Sequence, residues 1–163
     1  MAGRRRRTRL NHDRSLYARP VRSGVPGLAG AIIVPRPILA VQITGPTGSR
    51  LRDGLLDTGA DETILDPSVA PLLGVDLTQA AEREVHLVGR GAIRCRYALV
   101  KLRITDGVSE TYEWDAVVGF APFPLLRNLL GFAGFLQFFD ANFRGAAEEL
   151  ILIPNAAFSG RII

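Results

Sequence analysis

The feature that most constrains the fold is the spacing of short apolar runs. Runs rich in valine, isoleucine and leucine begin near Ala31 and are separated throughout by glycine and proline. Runs of this length fit β-strands, whereas amphipathic helices need longer segments with a period of about 3.6 residues. The pattern therefore predicts an all-β domain. A chain of 163 residues provides material for one domain but not for two catalytic lobes.

The expected strands form hairpins around glycine-containing turns. A first hairpin is expected from strands 38–44 and 50–56 around the turn 45–49. A short helix is expected over 67–73, because Asp66 can cap it, Pro67 fits its first turn and Gly74 can end it. Further strands are expected over 84–88, 93–104, 109–118, 128–131, 139–143 and 149–153, and a second short helix over 133–138. The segment after Pro154 is expected to fray.

Positive charge is concentrated at the N terminus. Residues 1–22 contain eight arginines and one aspartate, a net charge of +7, whereas residues 23–163 have a net charge of −3. Like charge without apolar periodicity is typical of a disordered segment. We therefore expect an Arg-rich tail or linker over 1–30, a folded domain over 31–154 and a C-terminal tail over 155–163. No aromatic residue interrupts the arginines at positions 4–9 and no reading motif accompanies them, so only weak, nonspecific attraction to nucleic acid is expected. The residues that would supply it are Arg4, Arg5, Arg6 and Arg7.

Several classes of protein are excluded by what the sequence lacks. Pro35, Arg36 and Pro37 interrupt the longest apolar stretch, which leaves no segment of the ~20 residues that a membrane span needs. Nor does the N terminus resemble a signal peptide, so a cytoplasmic location is expected. Cys95 is the only cysteine, which excludes an intrachain disulfide, and we expect it to be a buried strand residue. The two histidines are far apart, so no metal site is expected.

The segment 55–65 carries the clearest chemical signal. Asp57 follows two consecutive leucines, which predict a buried strand, and Thr58, Gly59 and Ala60 come directly after it. These small residues allow another chain to approach closely, and glycine also permits a tight turn. An aspartate in this setting can be catalytic, or it can simply hydrogen-bond its own loop as an Asx turn. The three residues alone leave both interpretations open.

The whole segment 55–65 resembles the active-site segment of retropepsin-like aspartic proteases, the single-lobe family that includes the retroviral proteases. Three more segments resemble family elements in the family order: 36–43 the first strand, 88–93 the flap tip, and 129–131 the apolar-apolar-glycine signature. The resemblance implies a closed β-barrel lobe with one or two short helices and a flap hairpin. It also implies an aspartic endopeptidase, a proteolytic hydrolase that needs no cofactor.

Such an enzyme needs two carboxylates that share one proton, and this chain has one Asp-Thr-Gly. The resemblance therefore implies a homodimer with one Asp57 from each chain, acting on a peptide or protein substrate. Thr58 would bond across the paired loops. The resemblance further implies two substrate-binding sets. These are Gly59, Ala60, Asp61 and Glu62 in the active-site loop, and Arg90, Gly91 and Ala92 in the flap.

Two features depart from the family pattern. Phe132 stands where many members have an arginine that supports the active-site loop, so Asp61 needs another partner. The resemblance suggests Arg36 of the opposite chain, although a solvated Arg36 fits the sequence equally well. Secondly, the predicted hairpin of strands 139–143 and 149–153 resembles the C-terminal segment of cellular and bacterial single-lobe relatives more than that of retroviral members. Which strands form the dimer interface is left open by the sequence.

Two other functions remain open. The chain could be a dimeric peptide-binding module that keeps the fold without cleaving peptides. Alternatively, the β domain could serve only to dimerise a nucleic-acid binder that acts through its Arg-rich tail.

Overall fold

The computed structural model describes residues 8–11, 18–20, 33–87, 91–105, 110–147 and 149–163. This part of the chain is almost entirely β-structure, which confirms the predicted fold class. The strands are β1 (Thr8–Asn11), β2 (Ala18–Pro20), β3 (Ile33–Pro35), β4 (Ile38–Gly45), β5 (Gly48–Leu56), β6 (Ile64–Leu65), β7 (Ala81–Leu87), β8 (Gly91–Thr105), β9 (Thr111–Phe120), β10 (Asn128–Leu130), β11 (Phe139–Arg144), β12 (Glu149–Pro154) and β13 (Arg161–Ile162).

Six strands close into a barrel. They follow the order β9-β6-β10-β5-β4-β8, and β8 pairs back with β9 to complete the ring. β7 extends β8 as an antiparallel hairpin, which we call the flap hairpin, and β13 adds to β9. Within the ring, β10 lies between β5 and β6; it runs parallel to β5 and antiparallel to β6. The predicted closed barrel with a flap hairpin is therefore present.

An aromatic cluster around Trp114 forms part of the main hydrophobic core. Trp114 is 1% exposed and makes edge contacts with Phe135, Phe138 and Phe139 at ring-centroid distances of 5.4, 6.3 and 5.3 Å. Its indole Nε1–H donates to the carbonyl oxygen of Gly134 at 3.0 Å, so the polar group of this buried side chain is satisfied. These contacts fix the segment that follows β10 against β9.

The helices are shorter than the sequence predicts. Helix α1 covers Val69–Leu72, and the predicted helix 133–138 is reduced to a 3-10 turn at Leu136–Phe138. Asp66 accepts hydrogen bonds from the backbone and hydroxyl of Ser68, so it closes the preceding turn and does not cap α1 itself. Among the described residues no helix is long enough to cross a membrane.

Both terminal segments contain strands, although both were expected to lack regular structure. The prediction that the segment after Pro154 frays is wrong, because β13 pairs with β9 and Phe158 packs on Trp114 at 6.1 Å. At the other end, β1 pairs with β12 in a three-stranded sheet with β11, and β2 pairs with β3. The other residues of the predicted tail, including the arginine run 4–7, lie outside the described part of the chain.

Glu113 attaches the C-terminal strand to the barrel. Its carboxylate is 3% exposed and accepts hydrogen bonds from the Nε–H groups of Arg103 and Arg161, both at 2.9 Å. The Arg103 hydrogen bond and the charges of both arginines lower the pKa of Glu113 below its usual value of 4.5, although burial opposes the shift. A carboxyl with a depressed pKa stabilises the fold above its unfolded pKa, and this contribution is lost as the pH falls through the folded value.

We therefore expect Glu113→Gln to lower the free energy of unfolding at neutral pH by about 1–3 kcal/mol, because the buried hydrogen bonds lose their charged acceptor. The loss should shrink as the pH falls below 4.5, where protonation weakens the wild-type network as well. Urea unfolding from pH 7 to pH 3 measures both effects. Asp115→Asn removes an exposed acid from the same strand and is the matched control; equal pH slopes for the two variants would contradict this account.

Candidate active site

Asp57 lies directly after β5, where the strand leaves the barrel. Its N–H donates to the carbonyl oxygen of Leu130 at 3.1 Å, and the preceding Leu56 N–H donates to Pro37 at 2.8 Å. These two bonds fix the backbone that leads into Asp57 from two separate segments, the connection before β4 and the strand β10. The paired leucines of the sequence motif thus serve to anchor Asp57 at the rim of the barrel.

The loop after Asp57 is held by its own hydrogen bonds. Gly59 N–H donates to Asp57 Oδ1 at 2.9 Å, and Ala60 N–H donates to the Asp57 carbonyl at 3.2 Å. The first bond is the Asx-turn contact, so the turn interpretation of Asp57 is correct for Oδ1. Within the described residues Oδ2 accepts no hydrogen bond. Asp57 is half-buried, whereas Thr58 and Gly59 are exposed, so the tip of the loop faces away from the barrel.

A second loop crosses the active-site loop at Gly131. Phe132 N–H donates to Ala60 at 2.9 Å, and Ala133 N–H donates to Asp61 at 2.8 Å. A Cβ atom on Gly131 would lie 2.3 Å from the Glu62 carbonyl oxygen and 2.7 Å from that of Ala60. Only glycine allows the two backbones to approach this closely. The apolar-apolar-glycine signature therefore has a direct structural role next to Asp57.

Comparison with protein families agrees with this geometry. Residues 34–131, more than half of the chain, match the model of the retroviral aspartyl protease family. The chain belongs to this family. A search of curated proteins returned no match. In this retroviral aspartyl protease family member, the matched region runs from β3 to Gly131 and so includes the active-site loop, the flap hairpin and the glycine at which the second loop crosses.

Glu62, predicted to line the groove, contacts the flap hairpin. Its Oε1 lies 2.6 Å from Nη1 of Arg83 on β7, and its Oε2 accepts a hydrogen bond from the hydroxyl of Tyr97 on β8. Burial, followed by this hydrogen bond and the charge of Glu62, raises the pKa of Tyr97, so its hydroxyl keeps the proton that it donates. Burial and Glu62 also raise the pKa of Cys95 to about 11, so its thiol stays protonated.

Cys95 is 0% exposed, which confirms the prediction of a buried strand residue. It belongs to a small apolar cluster under the flap hairpin that the sequence interpretation missed. The cluster comprises buried Ile64, Cys95 and Ala121 and partly buried Val85, Ile93, Tyr97, Leu125 and Leu129. The alternation of apolar residues along β7 and β8 is the signal that could have revealed it. The cluster packs the hairpin against Ile64 of β6 and Leu129 of β10, the strands next to the loop that carries Asp57.

The predicted flap residues are described only in part. Gly91 and Ala92 begin β8 and are exposed, and Gly91 has a φ of +70°, which favours glycine. Arg90 lies outside the described residues. Leu87 pairs with Gly91, so the hairpin is paired up to the point where the described backbone stops.

Asn128, the first residue of β10, joins three segments of the chain near the active-site loop. Its buried side-chain amide donates to the Asp53 carbonyl at 2.9 Å and accepts from Asp66 N–H at 2.8 Å. Asp66 in turn accepts from Leu125 N–H at 2.7 Å. These bonds join β5, the turn before α1 and the segment before β10. Asn128 is therefore a positioning residue that the sequence interpretation did not single out.

The two residues of the predicted intersubunit ion pair, Arg36 and Asp61, are both exposed in the single chain. The pair itself stays a prediction. Phe132, which replaces the family arginine, is 62% exposed although its backbone is bonded to the active-site loop. A large apolar side chain is thus exposed beside the loop that carries Asp57.

Proposed function

We propose that this protein is an aspartic endopeptidase that acts as a homodimer, with one Asp57 from each chain. The observation that carries the proposal is the position of Asp57 at the rim of a barrel that matches the aspartyl protease family, fixed by backbone hydrogen bonds to Pro37 and Leu130. The catalytic domain would be residues 31–154, completed by β13. No cofactor is required by this chemistry.

The chemistry requires two carboxyls, because one must take a proton from water while the other donates one to the substrate carbonyl. Two carboxylates in contact cannot both stay ionised, so the pair shares one proton and provides acid and base together. Its two protonation steps belong to the pair. In each chain Oδ1 is already used by Gly59 N–H, which orients the carboxylate plane before substrate binds. Thr58 would bond across the two loops, and Arg36 would pair with Asp61 of the opposite chain.

The substrate would lie extended between the flap hairpin and the active-site loop. Gly59, Ala60 and Asp61 from the loop, with Arg90, Gly91 and Ala92 from the hairpin, would hold its main chain as an added strand is held. The apolar cluster under the hairpin favours apolar side chains next to the scissile bond. Closure of the hairpin would exclude water other than the attacking molecule.

The dependence of the cleavage rate on protein concentration tests whether two chains share the proposed pair of aspartates. We expect the purified chain to cleave a peptide with apolar residues at the scissile bond, and the rate per mole of chain to fall on dilution below the dimer dissociation constant. Sedimentation measured over the same concentrations gives the fraction of dimer independently. Activity should follow that fraction, because each monomer supplies half of the dyad. Full activity in a strictly monomeric protein would contradict the proposal.

A further inference from the structure

Glu62 connects the loop that carries Asp57 to both strands of the flap hairpin. One carboxylate oxygen pairs with Arg83 of β7, at 2.6 Å, and the other accepts the hydroxyl proton of Tyr97 of β8. We call Glu62, Arg83 and Tyr97 the hairpin clamp. Hydrogen bonds to an ionised carboxylate are stronger than those between neutral groups. The hairpin clamp therefore holds the hairpin to the active-site loop more strongly than neutral side chains would.

The clamp is anchored to a rigid part of the molecule. Glu62 forms a β-bridge with Ala133, and Thr63 N–H donates to the Ala133 carbonyl at 2.9 Å. The Glu62 carboxylate is only 11% exposed, whereas the Arg83 side chain is 71% exposed and reaches it from the hairpin surface. The hairpin is thus tied at its base to the same crossing loops that position Asp57.

We infer that Glu62, Arg83 and Tyr97 position the flap hairpin over the substrate, and that Glu62 is not itself a substrate contact. The inference rests on the proposed function. Both oxygens of Glu62 have partners in the chain, so a substrate group would have to displace one of them. Asp61, which is exposed, is left as the acid of this loop that can face the peptide.

Two substitutions test the hairpin clamp, one that removes a single hydroxyl group and one that removes a single positive charge. Tyr97→Phe removes only the hydroxyl, and Arg83→Met removes the cation. In each variant we expect KM for a peptide substrate to rise about tenfold, or about 1.4 kcal/mol, with kcat within about twofold, because the dyad is untouched. Arg83→Lys keeps a cation and should recover most of the wild-type KM. The matched control is Arg96→Met, since Arg96 pairs with Glu82 inside the hairpin and does not reach the loop.

Hydrogen exchange provides a readout that does not depend on catalysis. In Tyr97→Phe the amides of 81–87 and 91–97 should exchange faster than in the control, while those of β9 and β10 stay unchanged. Faster exchange without any peptide cleavage by the wild type would contradict the proposed protease but support the clamp. Kinetic and exchange behaviour equal to the Arg96→Met control, or exchange raised evenly over the whole barrel, would overturn the inference.

Discussion

Asp57→Asn should abolish peptide cleavage while leaving the fold and the dimer intact. Because both chains of a homodimer carry the substitution, the dyad loses its acid and its base together. General acid–base groups contribute about 10²–10⁴-fold each, so we expect a loss of about 10⁴-fold or more. Asparagine keeps an oxygen that can accept the Gly59 N–H bond, which protects the loop geometry. Initial rates, measured beside sedimentation and thermal unfolding, check the result.

Asp53→Asn is the control for this experiment, because Asp53 lies on β5, the strand that leads into Asp57, but its carboxylate faces Arg127 at 3.7 Å on the surface. It should cleave at the wild-type rate. Equal turnover by wild type and Asp57→Asn would remove the protease assignment. A wild type that binds an extended peptide without cleaving it, with binding unchanged in Asp57→Asn, would favour the alternative of a peptide-binding module.

Gly131→Ala should destabilise the protein by about 3 kcal/mol or more and inactivate whatever fraction folds, since overpacking against rigid neighbours is costly. The new methyl group would lie 2.3 Å from a backbone oxygen of Glu62 and 2.7 Å from one of Ala60. Neither neighbour is a flexible side chain that can rotate away. The active-site loop would have to move, and Asp57 would move with it.

Gly145→Ala is the matched control, because a Cβ atom there meets no heavy atom within 4 Å. Denaturant unfolding of both variants measures the difference in stability. For Gly131→Ala protein that remains folded at low temperature, the rate of cleavage should still be far below wild type. Wild-type stability and activity in Gly131→Ala would show that the crossing loops do not constrain the site.

Strands β4, β5 and β7 to β12 were predictable because residues with strong local preferences bound them, whereas β1, β2, β3, β6 and β13 were not predicted. Gly45 and Gly48 flank the turn of the first hairpin, and alternating apolar residues define β8 and β9. β7 begins three residues earlier than predicted, since its first residues are exposed and polar and only their pairing with β8 makes them a strand. The predicted second helix shortens because packing of Phe135 and Phe138 on Trp114 overrides local helix preference.

The residues of the candidate site that are adjacent in sequence could be predicted. Those that come into contact only when distant segments fold together could not. Asp57, Thr58 and Gly59 form one motif, so the position of the loop followed from the sequence. The contacts of Glu62 with Arg83 and Tyr97 did not, because they join segments 21 and 35 residues away in sequence through side chains of variable geometry. Likewise, β13 is recognisable only from Arg161 meeting the buried Glu113.

Because β10 lies between β5 and β6, the barrel can close only after β10 has been synthesised. During synthesis, β5 and Asp57 leave the ribosome well before Asn128, Leu129 and Leu130, which are their neighbours in the finished barrel. Until those residues arrive, the Asp57 N–H has no Leu130 carbonyl to bond, and long-range pairings of this kind form slowly. A nascent chain therefore carries Asp57 in an unformed loop, so the proposed protease could act only after nearly the whole barrel has been made.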